Sequence, residues 1–330
     1  MHFLENPPRH LFFTGKGGVG KTSVACATAV TLARAGKRVL LVSTDPASNI
    51  GQVFSTTIGN TITPISQVPG LSALEIDPDQ AAEAYREKII GPVRALLPVQ
   101  EIETITEQLS GSCTTEIASF NEFTGLLADP EQTAGFHHVV FDTAPTGHTI
   151  RLLQLPGDWT TFLDTGKGDA SCLGPMSGLE KNRATYRTAV DALTDSDTTR
   201  LVLVTRAQGA ALREVARTSD ELAELGIPAN HLVVNAVLSE DRTTSDPLHE
   251  AIRQREQTAL HDLPPTLAGL HLDQVPLKPV NMVGLTALED LLVAGPGTAT
   301  ATTSTTAETE PPRHVRRLGL VAQAVSLSRW

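Results

Sequence analysis

The segment His10 to Thr22, H-L-F-F-T-G-K-G-G-V-G-K-T, constrains this chain more than any other. A short apolar run, Leu11-Phe12-Phe13, leads directly into glycines. A helix-compatible segment follows from Ser23 to Ala35, with Gly36 placed as a C-cap glycine. Gly15, Gly20, Lys21 and Thr22 satisfy the G-x-x-x-x-G-K-[ST] phosphate-loop pattern in the strand–loop–helix setting that it requires. Glycines let successive backbone N–H groups turn inward around phosphate oxygens, and the helix N-terminus adds its partial positive charge. The segment therefore predicts binding of a nucleoside triphosphate across residues 15–22 (Gly15, Lys16, Gly17, Gly18, Val19, Gly20, Lys21, Thr22), with Lys21 reaching the β/γ-phosphates and the Thr22 hydroxyl on Mg²⁺. The second lysine, Lys16, does not fold easily back into its own phosphate nest. It is free to cross to a nucleotide held by another subunit and to add charge where the transition state spreads negative charge.

Further along, Arg38 to Thr44 is a continuous apolar run of strand length, the mark of a strand covered on both faces. It ends at Asp45-Pro46, and in open α/β sheets ligands sit beyond the carboxyl ends of strands. Asp45 is thus placed to orient the attacking water or to hold the magnesium shell. His138 to Thr143 carries Asp142 in the position of a second magnesium carboxylate. Leu71 to Asp77, Arg200 to Thr205, His231 to Val237 and Leu272 to Leu277 are further strand-length runs, with helices expected over Ala211 to Leu225, over 246–261 and over Gly284 to Val293. The expected fold is α/β, a P-loop NTPase with a mostly parallel doubly wound sheet. Helical periods at Ala81 to Leu97, Glu101 to Leu109 and Ile117 to Leu127 predict a helical insertion over about 78–128 on the ligand side of that sheet.

The 330 residues are 40% hydrophobic and 19% charged, which suits a globular ATPase domain over 1–293. Residues 294–330 fall to Ala, Thr, Gly, Pro and Glu, then to a short basic amphipathic end, and are expected as a linker and tail. A net charge of −11 argues against nucleic acid as a partner. No apolar run approaches membrane-spanning length and Met1 to Arg9 lacks a signal-peptide core, so a cytoplasmic location is expected. Three cysteines, none in a C-x-x-C pair, suggest a reducing compartment. Cys26 reads as a core residue of the first helix. Cys113 and Cys172 each lie among small, polar and glycine residues, the setting of an accessible thiol, and soft thiolates select thiophilic ions.

The phrase G-K-G-G-V-G-K-T resembles the deviant Walker A motif of the family that contains arsenite-pump ATPases, tail-anchored-protein targeting ATPases, septum-site and chromosome-partition ATPases and nitrogenase iron protein. S-T-D-P-A-S-N-I (43–50), D-T-A-P-T-G-H-T (142–149), the two lone cysteines and P-V-N-M-V-G (279–284) narrow the likeness to the arsenite-pump-driving ATPase, from about Arg9 to Val293. The resemblance implies that Lys16 acts across a dimer interface, that Lys21 and Asp45 are catalytic at the subunit's own nucleotide, and that Mg²⁺ is held by Thr22, Asp45 and Asp142. It implies that Asn235 recognises adenine, flanked by the backbone of Lys278-Pro279. It also implies that As(III) or Sb(III), both activator and substrate, binds Cys113 and Cys172, with His148, a water or halide, or a partner subunit as the third donor. The implied setting is the inner face of the cell membrane, with an integral membrane arsenite carrier and a small metalloid chaperone as partners. Members of that family commonly join two ATPase halves, whereas this chain has one, so a homodimer is expected over a truncated reading frame. The alternative is a tail-anchored-protein targeting ATPase, which usually carries a C-x-x-C clasp and a Met-rich groove; this chain has no such pair and only three methionines.

Overall fold

The computed structural model describes residues 1–45, 50–143, 183–238 and 246–293. The chain divides into two units, Met1–Gly297 and Thr298–Trp330, and every described residue belongs to the first. The strands are β1 (His10–Thr14), β2 (Val39–Ser43), β3 (Thr63–Pro64), β4 (Leu71–Glu75), β5 (His138–Asp142), β6 (Thr199–Thr205), β7 (His231–Val237) and β8 (His271–Pro276). They form one sheet in the order β3-β4-β2-β5-β1-β6-β7-β8. Every pairing is parallel except that of β3 with β4. From β1 the chain runs out through β2 to β3 and β4, returns to insert β5 between β2 and β1, and then passes to the other side through β6, β7 and β8, so the carboxyl end of β1 lies at the topological switch point where such sheets bind ligands.

Alternation along the buried strands sends side chains to two faces. Phe12, Leu40, Val42, Val139, Phe141, Leu203 and Val234 pack one way; Leu11, Phe13, Leu41, Val140, Val202, Val204 and Val233 pack the other. Helix α1 (Lys21–Arg34), the short α2 (Ile50–Phe54) and α11 (Leu285–Leu291) cover the second face. The first face is covered by α5 (Ser112–Ala128), α7 (Arg183–Thr194), α8 (Gly209–Glu224) and the single turn α10 (Pro265–Ala268). The remaining described α-helices are α3 (Pro78–Ile90), α4 (Val99–Gln108), α6 (Pro130–Thr133) and α9 (Pro247–His261).

Between 78 and 133 the chain is helical but its divisions differ from those expected. The first helix begins earlier, because the Asp77 side chain accepts from the Asp79 and Gln80 N–H groups as an N-cap with Pro78 behind it. It ends at Ile90 instead of Leu97, since Pro92 cannot supply the next helical N–H and the chain tightens into a 3-10 turn at Gly91–Val93. Helix α5 starts at Ser112 and not at Ile117, so Cys113 lies in its first turn. Burial explains that start, because Ile117, Phe120, Phe123 and Leu127 draw the whole segment onto its partners as an amphipathic helix. Phe123 meets Phe12 and Phe141 edge-on, at 6.0 and 5.6 Å between ring centres. Helix α3 packs on α5 through Ala81, Ala82 and Ala118.

His10, the first residue of β1, is buried against the Phe141 ring, and neither ring nitrogen has a hydrogen-bond partner. Burial, helped by the Arg9 charge, lowers its pKa to about 4. A histidine held below its ordinary value of about 6.5 stabilises the fold fully above that pH, and the contribution is lost as pH falls towards the folded value. Between pH 7 and pH 5 the His10 share of that loss is about 2 kcal/mol. His231 acts in the same direction, being lowered by burial and by Arg200 and His271. Urea denaturation of wild type and His10→Phe at both pH values measures this. The variant is expected to be less acid-sensitive, and identical acid sensitivity would refute the account.

Candidate functional site

The site is built where β1 runs out. Residues 15–20 bridge Thr14 and Lys21, with Gly15, Gly18 and Gly20 at φ +154°, +78° and +93°. Gly20 stands at the N-cap of α1 without any side-chain cap, which leaves the first-turn N–H groups to be satisfied by a ligand. Val19 anchors the loop by its burial in the α1-side core. Lys21 is also buried, and its Nζ donates to the Lys16 carbonyl at 3.3 Å. Burial lowers the Lys21 pKa, while the Asp142 and Asp45 carboxylates oppose that shift.

Sheet register gathers the acidic groups. Asp142 pairs in register with Phe13 on one side and Ser43 on the other, and Ser43 pairs with Glu75. Asp142 is fully buried, and neither carboxylate oxygen has a protein hydrogen-bond partner of full geometry. Burial raises its pKa to about 7; the Thr22 hydroxyl and Lys21 pull it down, and Asp45 and Glu75 push it up. An orphaned buried carboxylate beside a hydroxyl and a lysine fits a hydrated Mg²⁺ shared with phosphate oxygens. Among the described residues no group of three His, Cys, Asp or Glu side chains is placed to hold a metal by itself, which suits an ion completed by a nucleotide and water. Asp45 is half-buried, its N–H donating to the Ser43 hydroxyl at 3.2 Å. The exit of β5 is fixed by the Thr143 hydroxyl, which donates to the Phe13 carbonyl at 2.7 Å.

Lys16 is half-exposed and points out of the cradle, with Nζ 2.9 Å from the Glu214 carboxylate on α8. Asn235 lies near the end of β7, and its Nδ2 donates to the Val19 carbonyl at 2.9 Å. Lys278 and the exposed Pro279 follow β8, the strand paired with β7, and the Leu277 N–H donates to the Val237 carbonyl at 2.8 Å. Cys113 is placed at the start of α5, while Cys172 and His148 lie outside the described residues. The structure therefore brings together the loop, Asp45, Asp142 and Asn235, and leaves the predicted metalloid ligands unassembled among the described residues.

Two groups at the site escape sequence reasoning. Glu75 accepts from the Ile50 N–H at 3.1 Å and adds negative potential at Asp142. Its place at the carboxyl end of a parallel strand was a usable signal. Glu214 had none, because its partner lies in a distant loop.

With that geometry in place, comparison with known proteins decides the family. The model of the anion-transporting ATPases matches residues 8–293. The chain belongs to that family. Among relatives of the anion-transporting ATPase, it is 61% identical to an arsenical pump-driving ATPase of Acidiphilium multivorum over 88% of this chain and 50% of the relative. An Escherichia coli protein of the same name is 60% identical over 90% of this chain and 51% of its own length. The chain thus spans about half the length of these relatives. The ATPase GET3 of Eremothecium gossypii is 30% identical over 88% of this chain and 90% of its own. The P-loop NTPase fold expected for an anion-transporting ATPase is the one observed. No helix among the described residues is long and apolar enough to cross a membrane.

Proposed function

We propose that this chain hydrolyses ATP to drive extrusion of arsenite or antimonite through an integral membrane carrier, working as a homodimer on the inner face of the cell membrane. The observation that carries the enzymatic part is the cradle: open first-turn N–H groups, buried Lys21 and orphaned Asp142 converge on one point at the switch of the sheet. The cargo rests on about 60% identity to arsenical pump-driving ATPases.

In this reading the loop amides and Lys21 grip the β/γ-phosphates, and Thr22, Asp45 and Asp142 would hold Mg²⁺, which when bound would supply positive charge to neutralise the phosphates. Asp45 orients the attacking water. Lys16 leaves Glu214 and sets its ammonium against the γ-phosphate of the partner's nucleotide. Asn235, with the backbone of Lys278-Pro279, receives the adenine. Cys113, Cys172 and His148 bind As(III) or Sb(III), which draws two subunits into the hydrolysing arrangement; a small metalloid chaperone delivers it. The domain scheme is an ATPase domain over 1–293 followed by a linker and tail.

Hydrolysis by the purified protein with and without antimonite, at several protein concentrations, tests the proposal. Stimulation that steepens with concentration is expected, and a tenfold effect needs only about 1.4 kcal/mol of differential stabilisation in the transition state. Cys113→Ser or Cys172→Ser should abolish stimulation and spare basal hydrolysis; equal loss of both rates refutes the cysteine assignment. One observation favours a second reading. Leu96 and Val99 are 79% and 73% exposed beside α4, a helix with no buried residue, as a surface for hydrophobic helices would be. A targeting ATPase would co-purify with hydrophobic peptides and ignore antimonite.

A further inference from the structure

We propose that Asn235 is a positioning residue for the phosphate loop, holding the Val19–Gly20 peptide so that its N–H faces the phosphates. The inference rests on the nucleotide reading of the loop and is separate from any contact with a base. Four observations carry it. The Asn235 side-chain amide donates to the Val19 carbonyl at 2.9 Å across 216 residues of sequence, and both residues are buried. The acceptor is a carbonyl, so the nitrogen of the amide must face the loop.

The strand is shaped to deliver that amide. Register between β7 and β8 slips at Asn235/Val237, and the intervening Ala236 takes φ +55°, a left-handed conformation that a non-glycine residue adopts only under constraint. The loop is shaped to receive it. A Cβ on Gly20 would lie 2.2 Å from Asn235 Nδ2, so a larger residue there would displace the amide from Val19, and the φ of +93° separately favours glycine.

Peptide planarity turns this bond into a functional statement. The Val19 C=O and the Gly20 N–H belong to one trans unit and point in opposite directions. Fixing the carbonyl on Asn235 aims that N–H away from β7, and loop N–H groups facing one way are what an anion nest consists of. Asn235 touches no phosphate in this arrangement and acts through the backbone of the loop.

The test compares binding of Mg·ATP and of inorganic tripolyphosphate, by calorimetry, to wild type, Asn235→Asp and Asn235→Ala. Asp is isosteric but has no N–H to give, and Ala leaves the Val19 carbonyl buried and unpaired. A brace predicts about a tenfold loss for both ligands in both variants. Loss of ATP binding with tripolyphosphate binding unchanged would make Asn235 a base contact only and overturn the brace, as would no loss at all. Wild-type protein that binds neither ligand would overturn the nucleotide reading itself. Hydrogen exchange of residues 15–22 without nucleotide gives a second measurement that a base contact cannot move. Faster exchange confined to residues 15–22 in Asn235→Asp, with exchange of the sheet unchanged, is expected; unchanged exchange in the loop would overturn the proposal.

Discussion

Mixing the Lys16→Ala and Asp142→Asn proteins is expected to restore about a quarter of the wild-type hydrolysis that neither gives alone, because random pairing makes half the dimers mixed and each mixed dimer has one complete site. Each variant alone should fall by about 10²–10³-fold, the usual consequence of removing a group that stabilises developing charge. The Lys16→Ala subunit keeps its loop, Lys21 and Asp142; it lacks only what it would lend to a partner. The Asp142→Asn subunit loses the buried carboxylate proposed for Mg²⁺ but still carries Lys16. The Lys16–Glu214 ion pair is no obstacle to this exchange. Lys16 is 52% and Glu214 27% exposed, and such a pair contributes at most about 1 kcal/mol. No restoration on mixing would mean that Lys16 serves its own nucleotide, and the homodimer would lose its main physical argument.

What sequence reasoning reaches in this molecule follows from how local each signal is. The loop from Gly15 to Thr22 was legible because glycine spacing, a preceding apolar run and a following helix all fall within 25 residues. The inner strands were legible because a strand buried on both faces carries an unbroken apolar run, Val39 to Val42 in β2 and Val139 to Phe141 in β5. Strand β3 has two residues, Thr63 and Pro64, too few for any period. Helix α7 was missed because its sequence is mostly polar, although Tyr186, Ala189 and Leu193 form a buried stripe at helical spacing. Cys113 fell between the expected helical periods, among small residues; packing of the apolar residues that follow it extended the helix back over it. At the site, the Asn235–Val19 bond and the Lys16–Glu214 pair join residues with no sequence relation. Only the register of β7 beside β6 and the bulge after Asn235 bring that amide to the loop.

Gly15→Ala is expected to lower ATP hydrolysis about 10²-fold while leaving the sheet folded, since a displacement of the reacting groups by about 1 Å has that effect. A Cβ at Gly15 would lie 2.1 Å from the Val204 carbonyl oxygen and 3.1 Å from its carbon. Val204 belongs to β6, which is hydrogen-bonded to β1 on one side and β7 on the other, so the strand cannot give way. The loop has to move instead, carrying its N–H groups and Lys21 off the phosphate position. Gly18→Ala is the instructive contrast. No atom lies within 4 Å of a Cβ there, and only its φ of +78° resists substitution. A left-handed alanine costs about 1–2 kcal/mol, so the loss should stay near tenfold or below. Steady-state hydrolysis of both variants, with far-ultraviolet circular dichroism to show that the fold persists, separates the two mechanisms. Equal losses would mean that conformational freedom alone explains both glycines and that the approach to β6 has no catalytic consequence.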